Sequence, residues 1–72
     1  MNHPSPADTI ARHAERLLSI PGVVGMAEGL LNGRPCIQIH LAVEDEALKR
    51  SLPAVLDDYP VVTMVTGEAE LL

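Results

Sequence analysis

The sequence predicts an α+β fold, a two-layer sandwich in which both helices cover one face of a three-stranded mixed sheet. Apolar residues recur at helical spacing in residues 5–19. Further on, an Asn-Gly pair separates two stretches in which apolar and polar residues alternate. The resulting order is α-β-β-α-β, and a right-handed crossover makes the last strand parallel to the second. With the last strand placed beside the first, the predicted strand order is 3-1-2.

The composition limits how this chain can be stable. Its 72 residues make one small domain, and 47% of them are hydrophobic, but there is no Phe or Trp and only one Tyr. A chain of this size buries only roughly 60% of its unfolded surface. Its single cysteine forms no internal disulfide. We therefore expect a homodimer or a complex with a protein partner.

The charge and the apolar runs exclude further classes. With 5 Lys and Arg against 10 Asp and Glu, the net charge is -5, which repels phosphate backbones and predicts no nucleic-acid binding. The GVVG stretch at 22–25 matches the GxxG loop of KH domains, but it begins a strand instead of joining two helices. No apolar run approaches the roughly 20 residues of a membrane span, and no signal peptide is visible. The free cysteine fits a cytoplasmic setting.

The first helix is predicted at residues 5–19, after a disordered N-terminus at residues 1–4. Ser5 is suited to the N-cap, and Asp8, three positions later, makes a variant of the capping box. The Pro-Gly pair that ends at Gly22 stops the helix. The apolar stripe expected to face the sheet consists of Ile10, Ala14, Leu17 and Leu18.

A β-hairpin is predicted at residues 22–43 around the Asn-Gly turn. In its second strand, one face carries Ile37, Ile39, Leu41 and Val43, and the other carries Cys36, Gln38, His40 and Ala42. The register pairs Met26 with Ile39 and Val24 with Leu41, and it sets Gly25, Ala27 and Gly29 opposite His40, Gln38 and Cys36. Glu28 falls on the apolar face, so we expect a bulge near Gly29 or a hairpin end that overhangs the core. Pro35 marks its side of the strand start as an edge.

A second helix at residues 45–52 and a last strand at residues 60–67 complete the fold. Asp45 is suited to the helix N-cap, and Pro53 ends the helix. Residues 54–56 are predicted to form a packed turn. The last strand is rich in β-branched residues and fairly apolar on both faces, which indicates an interior strand or one that meets a partner.

The CIQIH stretch places Cys36 and His40 on one face of the second strand. At roughly 3.3 Å per residue they are about 13 Å apart. A thiolate and its base need contact at about 3 Å, and two ligands of one zinc ion are similarly close. We therefore predict half-exposed strand residues here, with no catalytic or metal site. We expect no cofactor and no enzymatic activity.

The outer face of the hairpin is the candidate functional surface. Its residues are Gly25, Ala27, Gly29, Cys36, Gln38 and His40. Because glycine costs strand stability, its repeated use suggests a strongly twisted strand, a docked second sheet or a ligand close to the backbone. The leading hypothesis is a non-catalytic protein-interaction or self-association module. The alternatives are a small-ligand binding or regulatory domain, whose site combines Gly22 and Gly25 of the PGVVG loop with Gln38 and His40, and a redox or metal role for Cys36.

Several short motifs follow one another along the chain: IPGVVG, GRPCIQI, LP followed by LDDYPV, and a final TG. In this order they resemble a small bacterial α-β-β-α-β domain that precedes some trypsin-like serine protease domains and also occurs alone in short proteins. The resemblance covers roughly residues 20–68, with GVVGMAEG where that domain has GVGVG. It implies the same fold. Its motifs contain no catalytic residue, so it implies no protease activity for this chain.

Overall fold

The computed structural model describes residues 3–66, and these form two helices and one mixed four-stranded sheet. The elements are α1 (Pro6–Leu18), β1 (Val23–Leu31), β2 (Arg34–Leu41), α2 (Glu46–Ser51), β3 (Val55–Leu56) and β4 (Tyr59–Val65). The predicted α+β class is confirmed, with one strand more than expected. The predictions made for residues 1–2 and for position 67 lie outside the described residues.

The strand order is β1-β2-β4-β3, so the predicted order 3-1-2 is wrong. β4 runs parallel to β2, from Ile37 opposite Val61 to Leu41 opposite Val65. α1 packs mainly on β1, and the 6 residues of α2 span only about 9 Å. The connection therefore returns on the free side of β2, because α1 already covers the path across β1. This makes β2 an interior strand.

The buried face of α1 is rotated relative to the predicted stripe. The Ser5 hydroxyl accepts a hydrogen bond from the Asp8 amide at 3.1 Å, and the Asp8 carboxylate accepts from the Ser5 amide at 3.3 Å. Thr9 is 0% exposed and Leu17 is 1% exposed, whereas Leu18 is 45% exposed. A stripe counted from apolar residues alone misses Thr9, whose hydroxyl is buried because it has a hydrogen-bond partner.

The β1–β2 ladder has the predicted register from Gly25 to Leu31. It closes through the Asn32-Gly33 turn, whose φ angles of 53° and 79° are those of a type I′ turn. Glu28 stays on the core side of β1 but is exposed. Leu30, two positions nearer the turn, is 74% exposed. The end of the hairpin therefore overhangs the core.

The irregularity of this ladder is a β-bulge between Val23 and Gly25, not near Gly29. Because of the extra residue, Val23 instead of Val24 lies opposite Leu41, and the predicted pair is corrected. Val23 is 6% exposed and Val24 is 43% exposed. The bulge thus points the first residue of β1 into the core.

An aliphatic core lies on one side of the sheet. Its members are Leu17, Val23, Ile37, Ile39, Leu41, Leu52 and Leu56. They come from α1, three strands and the end of α2, and Leu48 of α2 packs against them. Both helices therefore contribute to the same core. Val43, which was predicted to continue the buried face of β2, is 61% exposed because the strand ends at Leu41.

A second hairpin replaces the packed turn that was predicted for residues 54–56. The two-residue strand β3 runs antiparallel to the start of β4. Asp57 and Asp58 connect them with φ angles of 48° and 69°, again in the left-handed region that a type I′ turn uses. Asp tolerates this conformation, but an Asp-Asp pair is a weaker hairpin signal than Asn-Gly. The sequence prediction missed the hairpin for that reason.

Candidate functional site

The side of the sheet away from the core carries all six residues of the predicted interaction surface. The ladder places Gly25 opposite His40, Ala27 opposite Gln38, and Gly29 opposite Cys36. On the other side of β2, Val62 lies opposite Gln38 and Met64 lies opposite His40. We call the eight residues Gly25, Ala27, Gly29, Cys36, Gln38, His40, Val62 and Met64 the open face. The two β4 members were missed, because the predicted strand order put β4 beside β1.

Gly29 of β1 makes room for a side chain of β2. A Cβ atom at Gly29 would collide with Nε2 of Gln38 and approach its Cδ to 3.0 Å. A Cβ atom at Gly25 would lie 3.4 Å from Nδ1 of His40, an ordinary van der Waals contact, so the need for space applies to Gly29. Gln38 therefore lies across the backbone of β1 instead of projecting from the sheet. The close approach that Gly29 permits comes from the chain itself.

Gln38 and His40 are also bound to each other. The His40 Nε2 atom is 3.2 Å from the Gln38 Oε1 atom, and both side chains are half-buried. This hydrogen bond, together with the contact of Gln38 with Gly29, holds the two side chains in place on the open face. A preordered surface loses less side-chain entropy when it is covered.

Cys36 is 1% exposed, so the prediction of a half-exposed cysteine is wrong. The prediction treated β2 as an edge strand, whereas β2 lies between β1 and β4. Such burial leaves the thiol without solvent access for redox chemistry. Within residues 3–66, no group of three His, Cys, Asp or Glu side chains is placed to hold a metal ion.

The PGVVG loop is packed against α2. Gly22 has a φ of 96°, a conformation that glycine adopts without strain. A Cβ atom there would lie 2.7 Å from Cδ2 of Leu48. The space beside Gly22 is therefore filled by a core side chain. A ligand site at Gly22 and Gly25 stays a prediction, and the packing of Leu48 offers it no support.

A hydrogen-bonded cluster joins α1 to the β3–β4 turn. The Thr9 hydroxyl donates to Asp57 at 2.9 Å, and the His13 Nε2 atom lies 3.4 Å from the same carboxylate. Arg12 also pairs with Asp57 at 3.4 Å, and Arg16 contacts the His13 Nδ1 atom at 2.8 Å. The hydrogen bond from Thr9, aided by His13 and Arg12, lowers the pKa of Asp57 despite its partial burial.

This cluster holds the fold together and is not a nucleophile site. An activated hydroxyl would donate to the histidine, with the carboxylate behind it. Here the Thr9 hydroxyl donates directly to Asp57 and is fully buried. The cluster thus anchors the left-handed turn at Asp57 against the middle of α1.

The chain matches no protein-family model, and comparison with curated proteins and with solved structures finds no significant match. Among residues 3–66, no helix is long and apolar enough to cross a membrane. The function therefore has to be argued from the geometry of the chain itself.

Proposed function

We propose that this domain is a non-catalytic self-association module that joins a second copy of itself through the open face. The observation that carries the proposal is the preordered open face, where Gly29 on β1 receives the side chain of Gln38 and Gln38 is hydrogen-bonded to His40. Neither helix packs on it, since the core contributed by both lies on the other side. A small domain with an aliphatic core gains stability when a second sheet covers such a surface.

The side chains of the open face favour a sheet-to-sheet contact. Met64 is 42% exposed, and Val62 and Ala27 are half-buried, so three apolar side chains line the two flanks of β2. Covering Gln38 and His40 costs less than covering two unpaired polar groups, because each already has the other as a partner. None of the eight open-face residues is Asp, Glu, Lys or Arg, although Arg34 lies on the same side of the sheet two positions from Cys36.

The size of the open face sets the expected affinity. Three strands with a spacing of about 4.8 Å and about five residues of length make a patch of roughly 14 by 17 Å. This is smaller than the roughly 800 Å² per partner that a standard stable interface buries. We therefore expect a dimer with a dissociation constant in the micromolar range or weaker.

A protein partner other than a second copy also fits the open face. The resemblance to the region ahead of trypsin-like serine protease domains makes a protease domain one candidate for that partner. A cytoplasmic location also belongs here, because Cys36 is a free thiol. The small-ligand alternative at Gly22 has less support, since Leu48 fills the space beside it.

A dilution series followed by amide NMR shifts tests the proposal. When the protein concentration rises from low micromolar to near millimolar, the amide shifts of open-face residues in β1, β2 and β4 should change. Over the same range, light scattering should show the average molecular mass rising toward that of two chains. Amides of α1 should move little, because that helix packs on the opposite side of the sheet. A monomer whose spectrum is independent of concentration would rule out self-association.

A further inference from the structure

A groove opens at the end of the sheet where the two hairpin turns diverge. It has a volume of about 550 Å³, which lies in the range of small-molecule sites. Its walls are formed by Leu31, Asn32, Arg34, Pro35, Asp58, Tyr59 and Pro60. We call it the proline groove. Leu31, Arg34 and Pro60 lie on the same side of the sheet as the open face, beyond its last residues, so the groove adjoins that face at the end of the sheet.

Two prolines explain why β2 and β4 separate at this point. The Thr66 amide donates a hydrogen bond to the Leu41 carbonyl, and this shows which residues of β2 and β4 direct their amides and carbonyls at the other strand. If the ladder extended toward the starts of the two strands, beyond Ile37 and Val61, its next two hydrogen bonds would require the backbone amides of residues 60 and 35. Both positions are proline and have no N–H. The ladder therefore ends, and it supplies no donor to the main-chain carbonyl oxygens of Pro35 and Asp58 at the gap.

The walls of the groove are held in place. Each wall ends in a tight turn with two residues of positive φ. Tyr59, the one aromatic side chain of the chain, donates its hydroxyl to the Pro4 carbonyl at 2.6 Å, and its ring meets that of His3 edge-on at 5.1 Å. The groove is thus formed before a ligand enters, and little ordering is needed for binding.

Two opposite charges stand at the groove without a partner. Arg34 lies on the β2 side and Asp58 on the β4 side. Within the part of the chain that the structure describes, neither side chain makes an ion pair or a hydrogen bond. The remaining wall is apolar, with Leu31, Pro35, Tyr59 and Pro60. The complementary ligand has one anionic group, one cationic group and an apolar body.

We propose that the proline groove binds a free α-amino acid with an apolar side chain. Its carboxylate pairs with Arg34, and its ammonium group pairs with Asp58 and the carbonyl oxygens at the gap. Its side chain packs on Leu31 and Pro60. Because both charged residues are solvent-exposed, each ion pair contributes little, and we expect a dissociation constant in the millimolar range.

Titration of the isotope-labelled protein with L-leucine tests this proposal. Amide shifts should move at the two turns, in Asn32, Gly33 and Asp58, and should saturate. Isoamylamine lacks the carboxylate and 4-methylpentanoate lacks the ammonium group, so both should bind several-fold more weakly. The proposal would be overturned if both analogues, or leucine blocked at its amino and carboxyl groups, caused the same amide shifts as leucine at the same concentration. Such a result would indicate that the groove contacts the apolar part of the ligand alone. Unchanged spectra at tens of millimolar leucine would also overturn it.

Two charge-removing variants identify the contacts. Arg34→Gln should weaken leucine binding at least several-fold, and so should Asp58→Asn, which keeps a residue that tolerates the positive φ at this position. Arg50→Gln, on the exposed side of α2, is the matched control and should bind like the parent. If both groove variants bind leucine as well as the control does, Arg34 and Asp58 do not recognise it. The open-face dimer is unaffected by that outcome.

Discussion

The side chain of Gln38 lies over the backbone of Gly29, so close that a Cβ atom there would collide with it. This contact explains why a strand position that faces no helix is glycine. It also links the preordered open face to the hydrogen bond between Gln38 and His40, because Gln38 keeps that geometry only while position 29 has no side chain.

Gly29→Ala should therefore leave the stability nearly unchanged, although alanine is normally better than glycine in a strand by about 0.5–1 kcal/mol. The new Cβ displaces Gln38 and breaks its bond to His40, a loss of about 0.5–1.5 kcal/mol that cancels this gain. In a Gln38→Ala background the same substitution should become stabilising. Urea unfolding of the four proteins of this cycle gives the coupling. Equal effects in both backgrounds would show that Gln38 does not occupy that space.

Gly22 and Gly33 form a matched pair for the packing of α2. Both have positive φ, but Leu48 lies 2.7 Å from a Cβ at Gly22, while nothing lies within 4 Å at Gly33. Gly33→Ala should cost about 1 kcal/mol from backbone strain alone. Gly22→Ala should cost more, about 2–3 kcal/mol, because Leu48 must also move. Thermal or urea unfolding compares the two, and equal costs would contradict the packing of Leu48 against Gly22.

Asp57→Asn should reduce stability at neutral pH and flatten its dependence on acid. The pKa of Asp57 is lowered below its ordinary value of 3.8, chiefly by the hydrogen bond from Thr9. A lowered folded-state pKa gives stability that is complete above the ordinary value and is lost as the pH falls through the folded value. The parent and the variant should therefore converge in strong acid.

Urea unfolding across the acid range measures this convergence. Asn keeps the left-handed turn at position 57, so the comparison isolates the charge. Glu15→Gln, an exposed carboxylate of α1, is the control for general loss of negative charge. A stability difference between parent and Asp57→Asn that stays constant down to strong acid would show that the carboxylate does not carry the contribution.

The sequence predicted local structure more reliably than long-range pairing. Asn32-Gly33 defined the first hairpin and its register, because only a type I′ turn suits that pair. The position of β4 in the sheet depended on the side of β2 to which the chain returned. The alternation of apolar and polar residues along a strand does not indicate which strand lies beside it. The bulge at Val24 likewise had no signal in the alternation of residues.

The candidate surface could be predicted only in part, because the position of β4 in the sheet was not predicted. Six of its residues follow from the hairpin register, but Val62 and Met64 needed the correct strand order. The proline groove had a readable signal, since Pro35 and Pro60 both stand at strand starts, yet the two became neighbours only when β4 was placed beside β2.

Sedimentation equilibrium of the parent, Met64→Lys and Val43→Lys tests the central claim most directly. Val43 is 61% exposed and Met64 is 42% exposed, but only Met64 lies on the open face. The parent and Val43→Lys should form a weak dimer with the same dissociation constant. Met64→Lys should dissociate at least tenfold more readily, because each copy then has to cover a charged side chain in place of an apolar one. Equal dissociation constants for all three, or a parent that stays monomeric, would contradict self-association through the open face.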